Sequence, residues 1–527
     1  MRTRFAGARL VWPLVACLAG SLVACGGDDG GAEGGGGGSP TETPGDPVSG
    51  GDLTFLYSGA GFNAFEPADV SNEADSAAAY LGAVFGMLVY EDYETGEVVP
   101  SMAESLTASD SAHWVLGLRE DVTFSDGTPF DAEAVKFNWE RAAGLAQSPV
   151  APVAAQIASL TVADPLTLEI ELAAPDSTFD RTVARNLAFV GSPTALQADE
   201  ASFLQSDPVG AGPFVVTSIG ADGTAEFDRN PEYWDQPKPY LDHLTIRFVS
   251  DDEQRLNTFL SGDAQLMGVG ITQDVSSITE GTVVEQGAPG GGSTLIFNTA
   301  KAPFDSETAR LAVQHAINRD EVNEIRYSGR GRVESSIFTD DSPFHDAEAE
   351  FPGFDPGEAQ SLFDEYADET GEPMSIQFTA PQAARATAEL FQAQLQEFDN
   401  VEVELNVVDG AQYFPGLLSG AFDVAVFSWA AANPLSDFRT FYETGGPLNL
   451  GGYSNPEVDR LLAEAAATTD EAEQADLLKD VQEIVVNDDA VAYFLVQTPS
   501  RALVADDVVG LDSAVDGIWL WDRVSLR

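Results

Sequence analysis

Hydrophobic residues follow two different periods along most of this chain. From Asp52 to the C-terminus, short apolar or alternating segments are followed by longer segments in which apolar residues recur at helical spacing. In Leu168–Leu172 every second residue is apolar, which predicts a strand with one face in water. The uninterrupted run Val424–Phe427 predicts a buried strand instead. The alternation of strands and helices predicts an α/β fold.

The boundaries of the individual elements follow from the same pattern. The predicted strands are Leu53–Tyr57, Trp114–Leu118, Leu166–Leu172, Leu244–Val249, Thr294–Asn298, Ser375–Thr379, Val401–Val408, Val424–Trp429 and Ala492–Val496. The predicted helices are Ser76–Leu88, Ala132–Ala143, Glu253–Leu260, Ser306–Ile317, Ala384–Phe398, Pro456–Ala466 and Glu471–Val486.

The first 25 residues have the order of a secretory signal. Three arginines precede the apolar run Leu10–Leu22, which is short for a membrane span and ends in Leu22-Val23-Ala24-Cys25. Small residues before a cysteine resemble the bacterial lipobox, in which the cysteine is acylated and becomes the new N-terminus. Ordinary cleavage beside an incidental cysteine is the alternative. We expect lipidation of Cys25 and an extracytoplasmic, lipid-anchored protein, in the periplasm or on the outer face of the cell membrane.

Residues 26–51 contain little but Gly, Asp, Glu, Ser, Thr and Pro. Such a segment buries no apolar surface, so we expect a disordered tether. The chain has two cysteines; Cys17 lies in the signal and Cys25 carries the expected lipid. The folded body therefore has no cysteine with which to form a disulfide or a cysteine metal site.

The balance of charge limits the partners of the body. Acidic residues number 86 against 25 basic ones, a formal net charge of -61. Repulsion disfavours nucleic acid and anionic membrane surfaces as partners. A cationic ligand is one explanation of the acidity; a surface adapted to solubility or salt is the other. The second is favoured because acidic residues occur in every segment.

A block near residue 100 carries a family resemblance. The segment Val99–Leu106 (VPSMAESL) is followed by His113–Glu120 (HWVLGLRE), by Val122–Phe130 (VTFSDGTPF) and by Asp131–Arg141 (DAEAVKFNWER). Together they predict a strand, an Asp-Gly turn and a capped helix. The block resembles the dipeptide-, oligopeptide- and nickel-binding proteins of ABC importers, solute-binding family 5.

Further blocks resemble the same family in the same order, so that the resemblance extends from about Asp52 to Arg527. They are Gly210–Phe214 (GAGPF), Arg229–Trp234 (RNPEYW), Phe297–Phe304 (FNTAKAPF), Ala309–Asp320 (ARLAVQHAINRD), Leu395–Leu405, Phe422–Trp429 and Tyr453–Asp459 (YSNPEVD).

The resemblance implies a type II periplasmic-binding-protein fold, also called a venus flytrap, with two lobes and an additional domain inserted in the first. We place the first lobe at residues 52–72, 190–290 and 491–527, the inserted domain at 73–189, and the second lobe at 291–490. The chain would cross between lobes near 290–294 and 490–492, and these crossings are hinge candidates. A small solute, peptide-like or another polar organic molecule, would bind between the lobes of a monomer. An ABC permease and ATPase complex would receive it.

The candidate ligand contacts lie after predicted strands. Trp429 could stack on the solute or pack between the lobes, and Asn433 could bond the solute or form a turn before Pro434. Arg385 could pair a ligand carboxylate or be a solvated surface residue. The resemblance also places Tyr57 and Ser58 where the first lobe faces the cleft.

One departure from the family concerns the ligand. In similar dipeptide binders, the stretch after the tryptophan carries an aspartate that pairs with the peptide's ammonium group, and here that position is Ala432. An unpaired ammonium group in a closed cleft is costly, so a dipeptide is disfavoured. Asp437 could substitute, but capping of the following helix is the favoured explanation.

Metal and catalytic chemistry find little support in the sequence. The four histidines are widely separated, and no His-Glu-x-x-His, phosphate-binding Gly-Lys-Ser/Thr or Gly-x-Ser-x-Gly motif occurs. We expect no metal, no cofactor and no enzymatic activity. A sensor on the same scaffold, and less strongly a surface hydrolase, are the alternatives to an import receptor.

Overall fold

The structure is a computed structural model. It describes residues 47–527 except 58–63, 69–77, 94, 146, 147, 149, 271, 287–289, 341 and 432. Cys25, Ser58 and Ala432 therefore lie outside the described residues.

Twenty strands are described. In chain order, β1 to β20 are Asp52–Tyr57, Val89–Glu91, Val98–Pro100, Ala103–Asp110, His113–Leu118, Ile157–Asp164, Thr167–Leu172, Phe214–Ile219, Ala225–Arg229, His243–Phe248, Leu266–Val269, Thr282–Gln286, Gly291–Phe297, Met374–Pro381, Val401–Val408, Val424–Ala430, Phe494–Val496, Ser500–Val504, Val508–Val509 and Ser525–Leu526.

Fifteen α-helices are described alongside short 3₁₀ and π turns. In chain order, α1 to α15 are Ala78–Phe85, Ala132–Gly144, Ala151–Ala154, Phe179–Thr182, Pro193–Ala198, Glu200–Gln205, Asp252–Leu260, Glu307–Ala316, Arg319–Tyr327, Pro356–Thr370, Arg385–Leu395, Gly410–Leu418, Pro434–Phe441, Pro456–Ala467 and Glu471–Glu483. Every predicted strand and helix overlaps one of these elements, and the α/β prediction is confirmed.

Two large sheets organise the body. A seven-stranded sheet, in the order β12-β18-β11-β1-β10-β9-β8, forms the first lobe, and a five-stranded sheet, β15-β14-β16-β13-β17, forms the second. In the first sheet β1 runs parallel to β10 and β11; in the second, β14 runs parallel to β15 and β16. The apolar run predicted as a buried strand is β16, an inner strand of the second sheet, in which Val424 and Ala425 are buried while Val426 and Phe427 are partly buried.

A third, four-stranded antiparallel sheet, β4-β5-β7-β6, lies within the predicted inserted domain. In β7, Leu168, Ile170 and Leu172 are buried while Glu169 and Glu171 are exposed, as the alternation predicts. Buried residues of this sheet and of the first lobe form one continuous hydrophobic core. The second lobe has a core of its own.

Local capping explains two of the helix starts. The Asp131 side chain accepts a hydrogen bond from the Ala134 backbone N–H at the start of α2. At the start of α14 the Asn455 side chain accepts one from Glu457 N–H, and Pro456 occupies the first turn. Both follow the preference of short polar side chains for the N-cap and of proline for the first turn.

The chain crosses between the two sheets twice. The first crossing joins β12 to β13 and the second joins β17 to β18. Phe494–Val496 pairs with β13 and belongs to the second lobe, so the predicted last boundary, 490/491, is wrong. The second crossing follows Val496 rather than Ala490–Ala492. Pairing across 200 residues of sequence decided the boundary, and local pattern carries no information about it.

Candidate functional site: the edge between the two lobes

The carboxyl edges of the two sheets meet at the crossings. In the first lobe, Arg501 at the start of β18 lies opposite Val269 at the end of β11. In the second, Gly291 at the start of β13 lies opposite Ala430 at the end of β16. Ligands of open α/β sheets bind beyond the carboxyl ends of the strands, so this edge is the candidate binding cleft. Tyr57, Trp429, Asn433 and Arg385 all lie at or just after such strand ends.

Tyr57 ends β1, but its side chain points into the first lobe. The residue is 1% exposed, and its hydroxyl oxygen accepts a hydrogen bond of 2.6 Å from the Tyr80 hydroxyl. The two rings pack edge to face, 5.6 Å apart. Burial raises the pKa of Tyr57. These contacts are core packing, and a role of Tyr57 in contacting the solute stays a prediction.

Trp429 lies at the strand end next to the first crossing, opposite Gly292. Its ring stacks on Phe441 with centroids 4.3 Å apart and packs against Phe494 at 5.1 Å. The residue is only partly buried, so part of its ring remains available. The ring partners of Trp429 thus belong to the second lobe rather than to a core between the lobes, and stacking of Trp429 on the solute stays a prediction.

Asn433 is the N-cap of α13. Its side-chain oxygen accepts a hydrogen bond from Ser436 N–H, while its own backbone N–H donates to Asp437 Oδ2 at 2.8 Å. The N-cap of α13 is therefore Asn433, and Asp437, which was expected to cap the helix, lies within it and bonds back to the N-cap residue. Asn433 is 3% exposed, and its amide nitrogen lies 3.5 Å from the Thr178 hydroxyl oxygen in the inserted domain. Its expected contact with solute stays a prediction.

Arg385 begins α11, after the end of β14. Its guanidinium pairs with Glu389 one helical turn later, at 3.6 Å, and the side chain is 48% exposed. This is the geometry of a surface pair worth about 0–1 kcal/mol. The solvated alternative describes Arg385 in this structure, and its pairing with a ligand carboxylate stays a prediction.

Three arginines at this edge were missed by the sequence analysis. Arg501 donates to the Gly270 and Gln273 carbonyl oxygens at 2.9 and 3.2 Å, and burial lowers its pKa, with Arg330 adding to the effect. Arg330 and Arg332 come from the second lobe. The sequence could have drawn attention to these arginines because basic residues are few in this chain, 25 against 86 acidic ones.

Arg330 and Arg332 reach across to the first lobe. Arg330 lies 3.4 Å from Asp274, and Arg332 lies 3.3 Å from Glu285. The segment that carries them also flanks both crossings: Arg332 pairs with Gln497, and Phe338 pairs with Gly290. The second lobe therefore holds the first lobe beside the hinge through one short segment.

A separate contact joins the inserted domain to the second lobe. Ser177 donates from its backbone N–H to Ala466 O at 3.2 Å and from its hydroxyl to Ala465 O at 3.3 Å. The Gln474 amide donates to the Ser177 hydroxyl at 2.8 Å. Arg439 also donates to the Pro175 carbonyl oxygen at 3.5 Å. We call this set, with the Asn433–Thr178 approach, the 175–178 contact.

The described residues offer no evident metal centre. Among them, no three His, Cys, Asp or Glu side chains come together as a ligand group. None of the helices described is long and apolar enough to cross a membrane.

Comparison with known families decides what this two-lobed body is. Residues 97–448 match the profile of the bacterial extracellular solute-binding proteins, family 5 (middle). The chain belongs to this family. The resemblance inferred from the motifs is confirmed.

Relatives and solved structures agree with the assignment. The glutathione-binding protein GsiB of Shigella flexneri is 26% identical over 483 residues, covering 88% of this chain and 91% of the relative. The periplasmic binding protein DppA of Helicobacter pylori, solved with the peptide STSA, superposes with a TM-score of 0.75 at 23% identity, covering 91% of this chain and 98% of that one. AgaA of A. tumefaciens R10, solved with agropinic acid, gives a TM-score of 0.76 at 20% identity, covering 90% and 99%. The fold is the type II periplasmic-binding-protein fold with an inserted domain.

Proposed function

We propose that this protein is an extracytoplasmic receptor that captures a small peptide-like solute between its lobes and delivers it to an ABC permease. The observation that carries the proposal is the meeting of the two carboxyl edges at both crossings. A solute bound there touches both lobes, so its binding energy favours their approach. The glutathione-binding relatives over 88% of the chain support a solute of this class.

The charges at the edge favour a solute with a carboxylate. Arg501 lies there with backbone carbonyl oxygens as hydrogen-bond partners, and Arg330 and Arg332 lie there in exposed pairs with Asp274 and Glu285, which a solute carboxylate would have to replace. Arginine pairs with carboxylates through two parallel hydrogen bonds, which makes it the suited counter-charge. Ala432 provides no carboxylate for an ammonium group, and this supports a peptide-like solute whose ammonium group is modified or lies away from this position over a simple dipeptide.

The screen that tests the proposal measures thermal stability of the mature body with glutathione, dipeptides, tripeptides, opines, sugars and polyamines. A solute at 100 times its dissociation constant stabilises the folded state by about 2.7 kcal/mol. We expect glutathione or another carboxylate-bearing peptide to raise the melting temperature. If no peptide raised the melting temperature while a sugar or polyamine did, the assigned class of solute would be wrong.

Variants connect the response to the cleft. Trp429→Ala should abolish stabilisation by the active solute, because it removes an aromatic surface at the edge of the cleft. Phe354→Ala is the matched control, since it removes a 47% exposed ring from a loop that precedes α10. Equal stabilisation of both variants would place the solute elsewhere.

We infer further that Cys25 is acylated and that the body performs no catalysis. Cys25→Ser should move the protein from the membrane fraction to the soluble extracytoplasmic fraction, without changing the affinity for solute. Incubation of the purified body with its solute, followed by mass spectrometry, should return the solute unchanged. A hydrolysed product would reverse the second inference.

A further inference from the structure

One cavity among the described residues lies outside the interlobe edge. Its volume is about 360 Å³, and its walls come from the first lobe and the inserted domain, with no residue of 291–490. Cavities that bind small ligands have volumes of roughly 300–1,000 Å³ and combine apolar walls with a few polar groups. The size of this cavity thus suits a small organic molecule.

The cavity is at the opposite end of the first sheet from the crossings. Tyr233, Trp234 and Lys238 line it, and they precede His243, the first residue of β10. Strand β10 runs parallel to β1, whose far end carries Tyr57. A solute between the lobes and a molecule in this cavity therefore occupy separate places on one chain.

Two cations of the cavity lining have carboxylate partners. Lys238 Nζ lies 2.9 Å from Asp235 and 3.2 Å from Asp522. Arg523 lies 2.9 Å from Asp512 and also donates to a tyrosine hydroxyl. These two cations have their counter-charges and leave little net attraction for a ligand.

Arg119 differs from them. Its Nε donates to the Ser101 carbonyl oxygen at 2.5 Å, and its guanidinium lies 4.5 Å from the Trp234 ring centroid. Within the described part of the chain no carboxylate pairs with it and its two terminal nitrogens have no acceptor. Trp234 Nε1 is buried without a hydrogen-bond partner among the described residues. Buried donors are normally satisfied, so this indole N–H beside the cavity calls for an acceptor, and the partly buried Arg119 supplies a positive charge next to it.

The lining of the cavity also includes apolar side chains. Trp519, Trp521 and Met87 line it and are almost fully buried, and Pro213 adds further apolar surface. We propose that this cavity is a second ligand site, which binds a small carboxylate with an aromatic or aliphatic body, the carboxylate pairing with Arg119. The apolar body packs against the tryptophans.

Phenylacetate and its neutral isostere phenylacetamide test the proposal by isothermal titration calorimetry on the full body. Phenylacetate should bind at least about tenfold more tightly, a difference of about 1.4 kcal/mol, because only the anion can pair with the guanidinium. Arg119→Gln should abolish the difference. Arg460→Gln, which removes a cation paired with Glu457 and Glu464 on α14, makes the same change in net charge and should preserve it.

Two further measurements separate a ligand role of Arg119 from a purely structural one. Val99→Phe narrows the cavity without altering a charge and should weaken phenylacetate binding while Arg119 stays in place. Hydrogen exchange with phenylacetate should protect 233–238 and 519–523, and Trp429→Ala should bind phenylacetate as the wild type does. The proposed site would be overturned by any of three results: no binding of phenylacetate, equal affinity for phenylacetate and phenylacetamide, or protection from hydrogen exchange confined to β16.

Discussion

Removal of the Ser177 hydroxyl isolates the contact between the inserted domain and the second lobe. In Ser177→Ala the hydroxyl no longer donates to Ala465 O or accepts from Gln474, while the backbone bond to Ala466 O remains. Gln474 keeps a second acceptor, the Ala465 carbonyl oxygen, at 3.0 Å. The variant therefore weakens the 175–178 contact without leaving a buried amide unpaired.

The expected size follows from two hydrogen bonds of about 0.5–1.5 kcal/mol each, which sets an upper range of about 1–3 kcal/mol. Both bonds are partly buried, and water replaces part of each, so we take about 1 kcal/mol. If the contact forms only when the lobes close, the whole cost falls on the ligand-bound state. The dissociation constant for the solute should then rise about fivefold.

Calorimetric titration of the solute found by the stability screen measures this change. Ser159→Ala is the matched control, because its hydroxyl bonds Glu171 at 3.0 Å within the inserted domain and touches no other domain. The control should bind as the wild type does. The reasoning would be refuted if Ser177→Ala bound the solute with unchanged affinity and lost the same stability with and without solute. That result would show that the contact also exists in the open state.

Three further predictions concern single residues. Gly292→Ala should lower the free energy of unfolding by about 1–3 kcal/mol in urea titrations. The φ of Gly292 is +126°, and a Cβ added there would lie 2.7 Å from Val496 O. Gly445→Ala is the control and should cost less, because a Cβ added at Gly445, whose φ is +77°, would have no atom within 4 Å. An equal loss of stability in the two variants would contradict this reasoning. Burial raises the pKa of Asp180, so the folded state holds the carboxyl proton more tightly than the unfolded state does. Ionisation of this carboxyl group therefore lowers the free energy of unfolding as pH rises. Asp180→Asn should melt higher than wild type at pH 7, with the difference vanishing below about pH 4; a constant difference would be the contrary result. Asn433→Ala should destabilise the body by about 1 kcal/mol through loss of its cap, and an unchanged melting temperature would count against that role.

Features that depend on neighbouring residues were predictable from the sequence. The caps of α2 and α14 and the alternation of β7 each involve residues a few positions apart, and the structure has them where the pattern placed them. The family motifs also belong to this local kind. Together they were enough for the fold class and the family.

Features that depend on pairing between distant parts of the chain were not predictable from the sequence. Three examples depend on which surfaces meet after folding. They are the stacking partner of Trp429, the approach of Asn433 to Thr178 across 255 residues, and the pairing of Phe494–Val496 with the sheet of the second lobe. Tyr57 shows the same limit, since periodicity places it at a strand end without indicating that its hydroxyl is engaged by Tyr80. Candidate ligand contacts are therefore the least determined part of the sequence analysis.

The continuous core of the first lobe and the inserted domain has a consequence for how the body denatures. Elements that share buried side chains lose them together, so the inserted domain cannot melt while the first lobe stays folded. The second lobe, with its separate core, can unfold on its own. A heating scan should therefore resolve at most two heat-absorption peaks, and an excised segment 73–189 should fail to fold.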